Sequence, residues 1–309
     1  GIGPEVFIKA INDQKLRQHL SKIILVSSSK VIEGAISAIG VKQKINLISD
    51  IKNAQPDSIN LINVDRCTDF VLGKPTLNNS EFIVDCLSKA ADLALTNSSC
   101  LVTGPLNKSI IQKHVQNFTG HTEFLKRKFN ANEVLMYMTN GNLHLGILTT
   151  HIPLKEVPNA ISRDLIKYKY KLLHDGLMDI FKLASPKIAV LGINPHAGEF
   201  GTIGNEEQNT ILPAIDELRH EGYDAYGPVS ADTVFTQTKY DAVLSMYHDQ
   251  ALPVLKTIDF NKTVNITLGL PFLRISVDHG TAEDIAKNYS ANYESMMEAV
   301  LISIARNEA

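Results

Sequence analysis

Three histidines stand directly after apolar runs, at positions where the strands of a sheet are expected to end. They are His151 in THIP, His196 in NPHAGE and His248 in YHDQ. In an open α/β sheet, ligands bind beyond the carboxyl ends of the strands. Three neutral imidazoles suit a divalent transition metal and leave a position for water or substrate. One such histidine alone is more often structural, and spacing does not show that the three converge.

Candidate anion-binding residues occur in two further segments. In TGPLNK, at residues 103–108, Gly104 permits close backbone approach and Lys108 supplies a cation, although an ordinary strand-to-helix turn explains the pattern equally well. Arg274, in GLPFLR, is a side chain suited to a carboxylate or a phosphate. The glycine-rich loop at 198–204 precedes a predicted helix but matches neither common phosphate-loop pattern. Together these segments indicate a small anionic substrate.

The elements that must position these residues are short strands alternating with amphipathic helices. The alternation predicts a mostly parallel α/β sheet covered on both faces. Asn-Gly-Asn at 140–142 predicts a hairpin between residues 134–139 and 143–150, and Thr122 is typical of a helix N-cap. The remaining predicted strands are 23–26, 100–103, 187–193, 241–246 and 264–268, and the predicted helices are 30–39, 81–95 and 205–221.

The composition narrows the class of protein. A chain of 309 residues predicts two domains, and 44% hydrophobic with 20% charged residues is typical of a globular protein with a large core. The net charge of -3 argues against a nucleic-acid partner, and no apolar run approaches the roughly 18 residues of a membrane span. Three cysteines without a C-x-x-C pair favour a reducing compartment, so a cytoplasmic location is expected.

Seven blocks of the sequence resemble the 4-hydroxythreonine-4-phosphate dehydrogenase family of vitamin B6 biosynthesis. They are GIGPEV at 1–6, TGPLNK at 103–108, GHTEF at 120–124, HIPL at 151–154, NPHAGE at 194–199, YHDQALPVLK at 247–256 and GLPFLRISVDHGTAEDIA at 269–286. The resemblance implies two α/β domains around a central cleft, similar to isocitrate and isopropylmalate dehydrogenases and without a Rossmann domain of the usual kind. The expected domains are 1–121 plus 275–309 on the cofactor side, and 122–274 on the metal, substrate and dimer side.

The resemblance also implies roles for individual residues. The metal ligands would be His151, His196 and His248. The family is homodimeric with active sites at the subunit interface, so these three ligands need not come from one chain. HGTAEDIA resembles the adenosine-binding turn of the related dehydrogenases, with Lys287 where those enzymes have glycine. The implied substrate-binding residues are His121, Thr122, Lys256, Asn265 and Arg274, and the implied cofactor-binding residues are His279, Gly280, Thr281, Ala282 and Asp284.

The implied reaction is oxidation of 4-phosphooxy-L-threonine at its 3-hydroxyl by NAD or NADP, followed by decarboxylation to 3-amino-2-oxopropyl phosphate. Asp249 and Asp232 are candidates for orienting the metal ligands or moving a proton, and Lys256 is a third candidate catalytic residue. Imidazole ligands favour zinc, with cobalt or magnesium as alternatives. Two other functions remain open. One is a dehydrogenase of 4-phosphorylated threonate or erythronate, and the other is a metal-dependent hydrolase without NAD.

Overall fold

Strands and helices alternate along the computed structural model, which describes residues 1–308. The strands are β1 (Ile24–Ser27), β2 (Lys44–Leu47), β3 (Ser58–Asn63), β4 (Leu101–Thr103), β5 (Leu135–Thr139), β6 (His144–Thr149), β7 (Ile188–Leu191), β8 (Ala225–Val229), β9 (Ala242–Tyr247), β10 (Val264–Leu268) and β11 (Arg274–Val277). The helices are α1 (Gly3–Asn12), α2 (Gln14–Arg17), α3 (Ser29–Ile39), α4 (Ser80–Thr96), α5 (Lys108–Gln112), α6 (His121–Lys128), α7 (Val157–Ala160), α8 (Arg163–Phe181), α9 (Leu212–His220), α10 (Ala231–Val234), α11 (His248–Ile258) and α12 (Glu294–Glu308). The predicted α/β class is therefore confirmed.

The chain divides into two compact units. The discontinuous unit comprises Gly1–Ala131 and the segment that begins at Leu270, and the central unit is Asn132–Gly269. These boundaries differ from the predicted ones, because residues 122–131 and 270–274 lie in the discontinuous unit. The physical reason is an apolar cluster in which Leu125 of α6 and Phe272 pack with residues of α4 and β4.

The discontinuous unit contains only parallel strand pairs among its described residues. β3 lies between β1 and β2, and β4 pairs with β11. Buried apolar residues of α1, including Val6 and Ala10, pack against α12 through Met297 and Val300. The C-terminal helix therefore forms part of the core of the N-terminal half of the chain.

The six strands of the central unit are hydrogen-bonded in the order β10-β5-β6-β9-β7-β8. β5 and β6 form the predicted antiparallel hairpin, with Thr139 opposite His144, and the pairs β6–β9, β9–β7 and β7–β8 are parallel. Leu145 and Ile147 of β6 pack in one cluster with Leu252 of α11, whereas a Cβ added at Gly146 would lie 2.9 Å from the side chain of Leu173 of α8. Because successive residues of a strand face opposite sides, helices cover both faces of this sheet.

Most predicted elements are present within a residue or two of their expected ends, and two need correction. Thr122 is not a helix N-cap, because α6 begins one residue earlier, after Gly120. The predicted helix at 205–221 begins as a π-helical turn, Glu207–Ile211, before α9. None of the helices within residues 1–308 has both the length and the apolar character needed to cross a bilayer.

Candidate active site

His151 and His248 are brought together by two neighbouring parallel strands. Thr149 of β6 pairs with Tyr247 of β9, so the residues that follow the two strands leave the same edge of the sheet. The ring centroids of His151 and His248 are 5.8 Å apart. His248 Nδ1 lies 2.6 Å from Asp249 Oδ1. A ring nitrogen that donates to a carboxylate leaves the opposite nitrogen, Nε2, free to bind a metal.

His196 lies in the turn after β7, apart from this pair of histidines. Its Nδ1 is 3.7 Å from Asp232 Oδ2, and both side chains are more than half exposed. A hydrogen bond from Ser230 and the neighbouring His196 lower the pKa of Asp232. Within residues 1–308, no three His, Cys, Asp or Glu side chains form a group that could hold a metal. Within one chain, the predicted ligands His151 and His248 are thus adjacent, and His196 does not complete a metal-binding group with them.

Arg274 is the buried cation of the discontinuous unit. Its side chain is 4% exposed, and its Nε and one terminal nitrogen lie 3.1 and 2.8 Å from Thr103 Oγ1. Burial lowers the pKa of Arg274 to about 10, so the guanidinium remains charged at neutral pH. Burial, together with the charges of Arg274 and Lys108, lowers the pKa of His121 well below its usual value, so its ring is neutral. A charged donor and a neutral imidazole therefore share one polar site beside Thr103.

The other predicted substrate residues fall in both units. Thr122 follows His121 in the first turn of α6, in the discontinuous unit. Lys256 and Asn265 lie in the central unit, on α11 and β10. Lys256 Nζ is 5.6 Å from the centroid of the Phe260 ring, and both Lys256 and Asn265 are half-buried.

The predicted cofactor segment packs against the start of the chain. Ile2 N donates to Thr281 O at 3.0 Å, and Asn107 Nδ2 donates to Glu283 Oε1 at 2.8 Å. Around Gly280, an added Cβ would meet no atom within 4 Å. Among the described residues, the buried Nε2 of His279 has no hydrogen-bond partner. An unsatisfied buried ring nitrogen beside open space fits a site that a polar ligand such as a dinucleotide completes.

Comparison with known proteins places this geometry in a family. The family model described as pyridoxal phosphate biosynthetic protein PdxA matches residues 19–303. The chain belongs to the PdxA family. It is similar to two solved 4-hydroxythreonine-4-phosphate dehydrogenases, and this confirms the predicted family. The protein from Klebsiella pneumoniae is 32% identical with a TM-score of 0.90, over 99% of this chain and 95% of that one. The protein from Burkholderia phymatum is 31% identical with a TM-score of 0.87, over 99% and 94%.

A solved structure of lower sequence identity shares the fold of this chain. A terephthalate 1,2-cis-dihydrodiol dehydrogenase from Burkholderia xenovorans shares 23% identity over 98% of this chain and 94% of that one, with a TM-score of 0.70. At this level of identity the likeness concerns the fold alone. The chemistry assigned to this PdxA-family chain therefore depends on its own residues.

The discontinuous unit of this PdxA-family chain also contains an apolar cavity of about 670 Å³. Its walls come from α1, β1, α4, β4 and α12, and His121 and Thr103 also line it. The cavity therefore extends to the polar site around Arg274. Its mainly aliphatic walls do not suit a phosphorylated acid, because they offer few donors for the acid's oxygens.

Gln250 helps to hold the site in place but carries no distinctive sequence signal. Gln250 Oε1 accepts from Met246 N, and its Nε2 donates to Gly192 O, both at 2.7 Å. This amide ties the start of α11, which carries His248, to the end of β7, which leads to His196. A glutamine two residues after a histidine is common in any sequence, so only the fold reveals this contact.

Proposed function

We propose that this chain is a metal-assisted, NAD-linked dehydrogenase that oxidises the 3-hydroxyl of 4-phosphooxy-L-threonine in pyridoxal phosphate biosynthesis. The observation that carries the proposal is the pair of imidazoles, His151 and His248, 5.8 Å apart at the ends of adjacent parallel strands. Membership of the PdxA family and the likeness to two 4-hydroxythreonine-4-phosphate dehydrogenases support the substrate.

The anionic groups of such a substrate need cations and neutral donors. Arg274 supplies a buried charge whose position Thr103 fixes, and the neutral His121 beside it can donate or accept a hydrogen bond. Lys256 supplies a second cation from the central unit. Charged hydrogen bonds to phosphate or carboxylate are the strongest polar contacts available to a small substrate. We therefore assign substrate binding to these residues together with Thr122 and Asn265.

The donor set fits a divalent transition metal. His151 and His248 supply two imidazoles, and His196 from a second copy of the chain would supply the third, which implies a homodimer with shared sites. Nitrogen ligands favour zinc or cobalt over magnesium. When bound, such a metal lowers the free-energy cost of removing the proton of the substrate hydroxyl. Asp249 fixes the ring of His248 through Nδ1, and Asp232 Oδ2 lies 3.7 Å from Nδ1 of His196, where it can orient that ring.

Residues of the HGTAED turn provide the cofactor contacts in this proposal. The buried Nε2 of His279 would gain the hydrogen-bond partner that the protein does not supply, and Gly280 leaves space for close approach. We assign Thr281, Ala282 and Asp284 to the same contact surface. Hydride transfer from the substrate to NAD or NADP would leave a 3-keto acid, which then loses carbon dioxide.

The decisive experiment follows NADH absorbance with purified 4-phosphooxy-L-threonine after chelation and reloading with Zn²⁺, Co²⁺ or Mg²⁺. We expect turnover with zinc or cobalt, little with magnesium, and none after His151→Ala or His248→Ala. His220→Ala is the matched control, because His220 is an exposed histidine at the end of α9. Faster NAD reduction with 4-phosphoerythronate or 4-phosphothreonate would instead assign a sugar acid. Phosphate release without NAD reduction would assign a hydrolase.

A further inference from the structure

The turn that carries His196 has an unusual backbone. Residues 196–200 all have positive φ, with values of 51°, 51°, 78°, 41° and 57°. Only Gly198 among them lacks the Cβ that makes this conformation unfavourable. The other four residues carry side chains, and such residues remain in the left-handed region only when surrounding contacts hold them there. One buried side chain bonds the backbone directly before this turn.

Glu207 is that side chain, at the start of the π-helical turn before α9. It is 1% exposed, and its Oε1 accepts from the backbone N–H groups of Ile193 and Asn194, both at 2.8 Å. Its Oε2 accepts from Asn194 Nδ2 at 2.9 Å. A buried carboxylate that accepts three N–H donors is well compensated for its loss of water. Glu207 therefore fixes the backbone directly before the turn.

The same carboxylate also limits what the turn can contain. A Cβ added at Gly192 would lie 3.0 Å from Glu207 Oε1, and one added at Gly198 would lie 2.6 Å from Oε2. The carboxylate thus lies against glycines on both sides of His196, one at the end of β7 and one within the turn. A Cβ at Gly198 would displace the carboxylate, and a Cβ at Gly192 would lie 2.7 Å from the Cα of Ala197 in the turn. The turn and the carboxylate therefore fit one another closely.

We propose that Glu207 is a positioning residue that holds the left-handed turn and so sets the direction of His196. Its link to metal binding rests on the proposed function, in which His196 is a ligand, whereas its effect on the turn does not. Glu207 would not contact the substrate. Outer-shell groups of this kind commonly alter metal affinity or activity by about 10–100-fold.

The test compares Glu207→Gln with Glu217→Gln in the complete protein. Glutamine keeps the size of the side chain but places an amide among groups that all donate. Glu217→Gln is the matched control, because it makes the same chemical change further along the same helical segment. The carboxylate of Glu217 pairs with Lys167 at the surface. Asn194→Ala is a milder second variant in case Glu207→Gln folds poorly. It removes the donor to Glu207 Oε2, together with the bond from the same amide to Glu206 Oε2, and keeps both backbone bonds to Oε1.

Two measurements on folded protein, verified by circular dichroism, separate the possibilities. Hydrogen exchange at the amides of Ile193 and Asn194 should be at least about tenfold faster in Glu207→Gln than in the wild type. In Asn194→Ala, the amides of residues 196–200 should also exchange faster than in the wild type, by a smaller factor. Co²⁺ titration, followed by visible absorption without substrate, should show at least about tenfold weaker binding in Glu207→Gln and no change in Glu217→Gln.

The outcomes distinguish this inference from the proposed function. Wild-type exchange rates and cobalt affinity in both Glu207→Gln and Asn194→Ala would overturn the positioning role and leave the proposed function standing. Faster exchange with unchanged cobalt affinity would overturn the link from Glu207 to His196 as a ligand. If the wild-type protein itself bound no Co²⁺ while Glu207→Gln accelerated exchange, the metal function would fail and the structural support of the turn by Glu207 would stand.

Discussion

At the scale of single residues, Arg274 combines near-complete burial with a retained charge. Its guanidinium lies buried at the start of β11, where it bonds Thr103 Oγ1. We expect Arg274→Ala to raise the KM for substrate by a factor of roughly 30 to several thousand, because losing a buried charged partner costs about 2–5 kcal/mol. NAD affinity should change little. Steady-state kinetics and cofactor titration measure the two effects.

Two further variants sharpen the test of Arg274. Arg274→Lys keeps the charge but loses the planar group that bonds Thr103 through two nitrogens, so it should restore only part of the substrate affinity. Arg66→Ala removes an exposed arginine that bonds Asp85 and should leave the KM unchanged. An equal loss of NAD and substrate affinity in Arg274→Ala would show that the assignment to substrate is wrong.

The sequence predicts some of these residues and not others, for a physical reason. His151 and His248 follow recognisable apolar strands, so their position at one edge of the sheet follows from the sequence pattern. Glu207 and Gln250 act through contacts with the segment after β7, and nothing in their local sequence indicates which backbone groups they meet. The pattern also does not show that His196 lies apart from the other two histidines, because it says nothing of the left-handed turn.

At the scale of elements, the β5–β6 hairpin contains a buried histidine. His144 Nδ1 lies 2.5 Å from Tyr137 Oη and 3.0 Å from Thr139 Oγ1. Burial lowers the pKa of His144 to about 4, against a weaker opposing effect of Asp241. Burial also raises the pKa of Tyr137, which keeps its hydroxyl protonated as a donor. The neutral imidazole is therefore part of the folded hairpin.

The stability of the protein should fall in acid because of His144. Its folded pKa lies below the unfolded value of 6.5, so the unfolded state binds the extra proton first as the pH drops. The contribution of neutral His144 to the free energy of unfolding is fully present above about pH 6.5. It declines by up to about 3 kcal/mol as the pH approaches 4. Urea unfolding between pH 4 and 7 should show a shallower pH dependence for His144→Gln than for the wild type.

The exposed His220 provides the comparison for this measurement. His220→Gln should follow the wild-type pH dependence, because the side chain of His220 lies at the surface and is not part of the buried core. Identical slopes for the wild type and His144→Gln would refute the contribution of the buried histidine.

The elements themselves were predictable where their pattern was simple. The β5–β6 hairpin was predictable because Asn-Gly-Asn separates two apolar runs. The end of α3 was predictable because Gly40 follows its last residue, and Gly40 indeed has a φ of 76°. Strand β3 was not predicted, although its residues are largely buried. Its Asn60 interrupts the apolar pattern, yet Asn60 is 1% exposed and donates to Leu20 O and Gln55 O at 3.0 Å. Tertiary hydrogen bonds thus allow an amide where the sequence pattern indicates a loop.

At the scale of the whole molecule, the separation of His196 from His151 and His248 makes a prediction about mixed subunits. Under the proposed sharing of sites, His151→Ala and His196→Ala are each inactive. A hybrid dimer of the two would contain one site with all three ligands, because one copy supplies an intact His151–His248 pair and the other supplies His196. After subunit exchange, activity should recover to at most about a quarter of the wild-type value, as expected for random pairing in a twofold dimer.

The matched control for this experiment follows from the structure. His151 and His248 lie side by side in one chain, so both belong to the same half of every shared site. Mixing His151→Ala with His248→Ala should therefore restore no activity. Recovery in this control, or none with His151→Ala and His196→Ala after verified exchange, would contradict sharing between subunits.

The tip of the turn after β7 has a practical consequence for handling the protein. Phe200 is 98% exposed at the outer end of that turn. An exposed loop tip is a preferred site of proteolysis, and chymotrypsin cleaves after aromatic residues. We expect an early cut between Phe200 and Gly201 in dilute protein. Under the proposed sharing of sites, a second copy would cover the turn, so cutting should slow as the protein concentration rises. Mass spectrometry of a timed digest over a dilution series measures this, and Phe200→Ala should abolish the cut. The proteolysis rate then reports assembly in crude samples, without substrate, cofactor or metal.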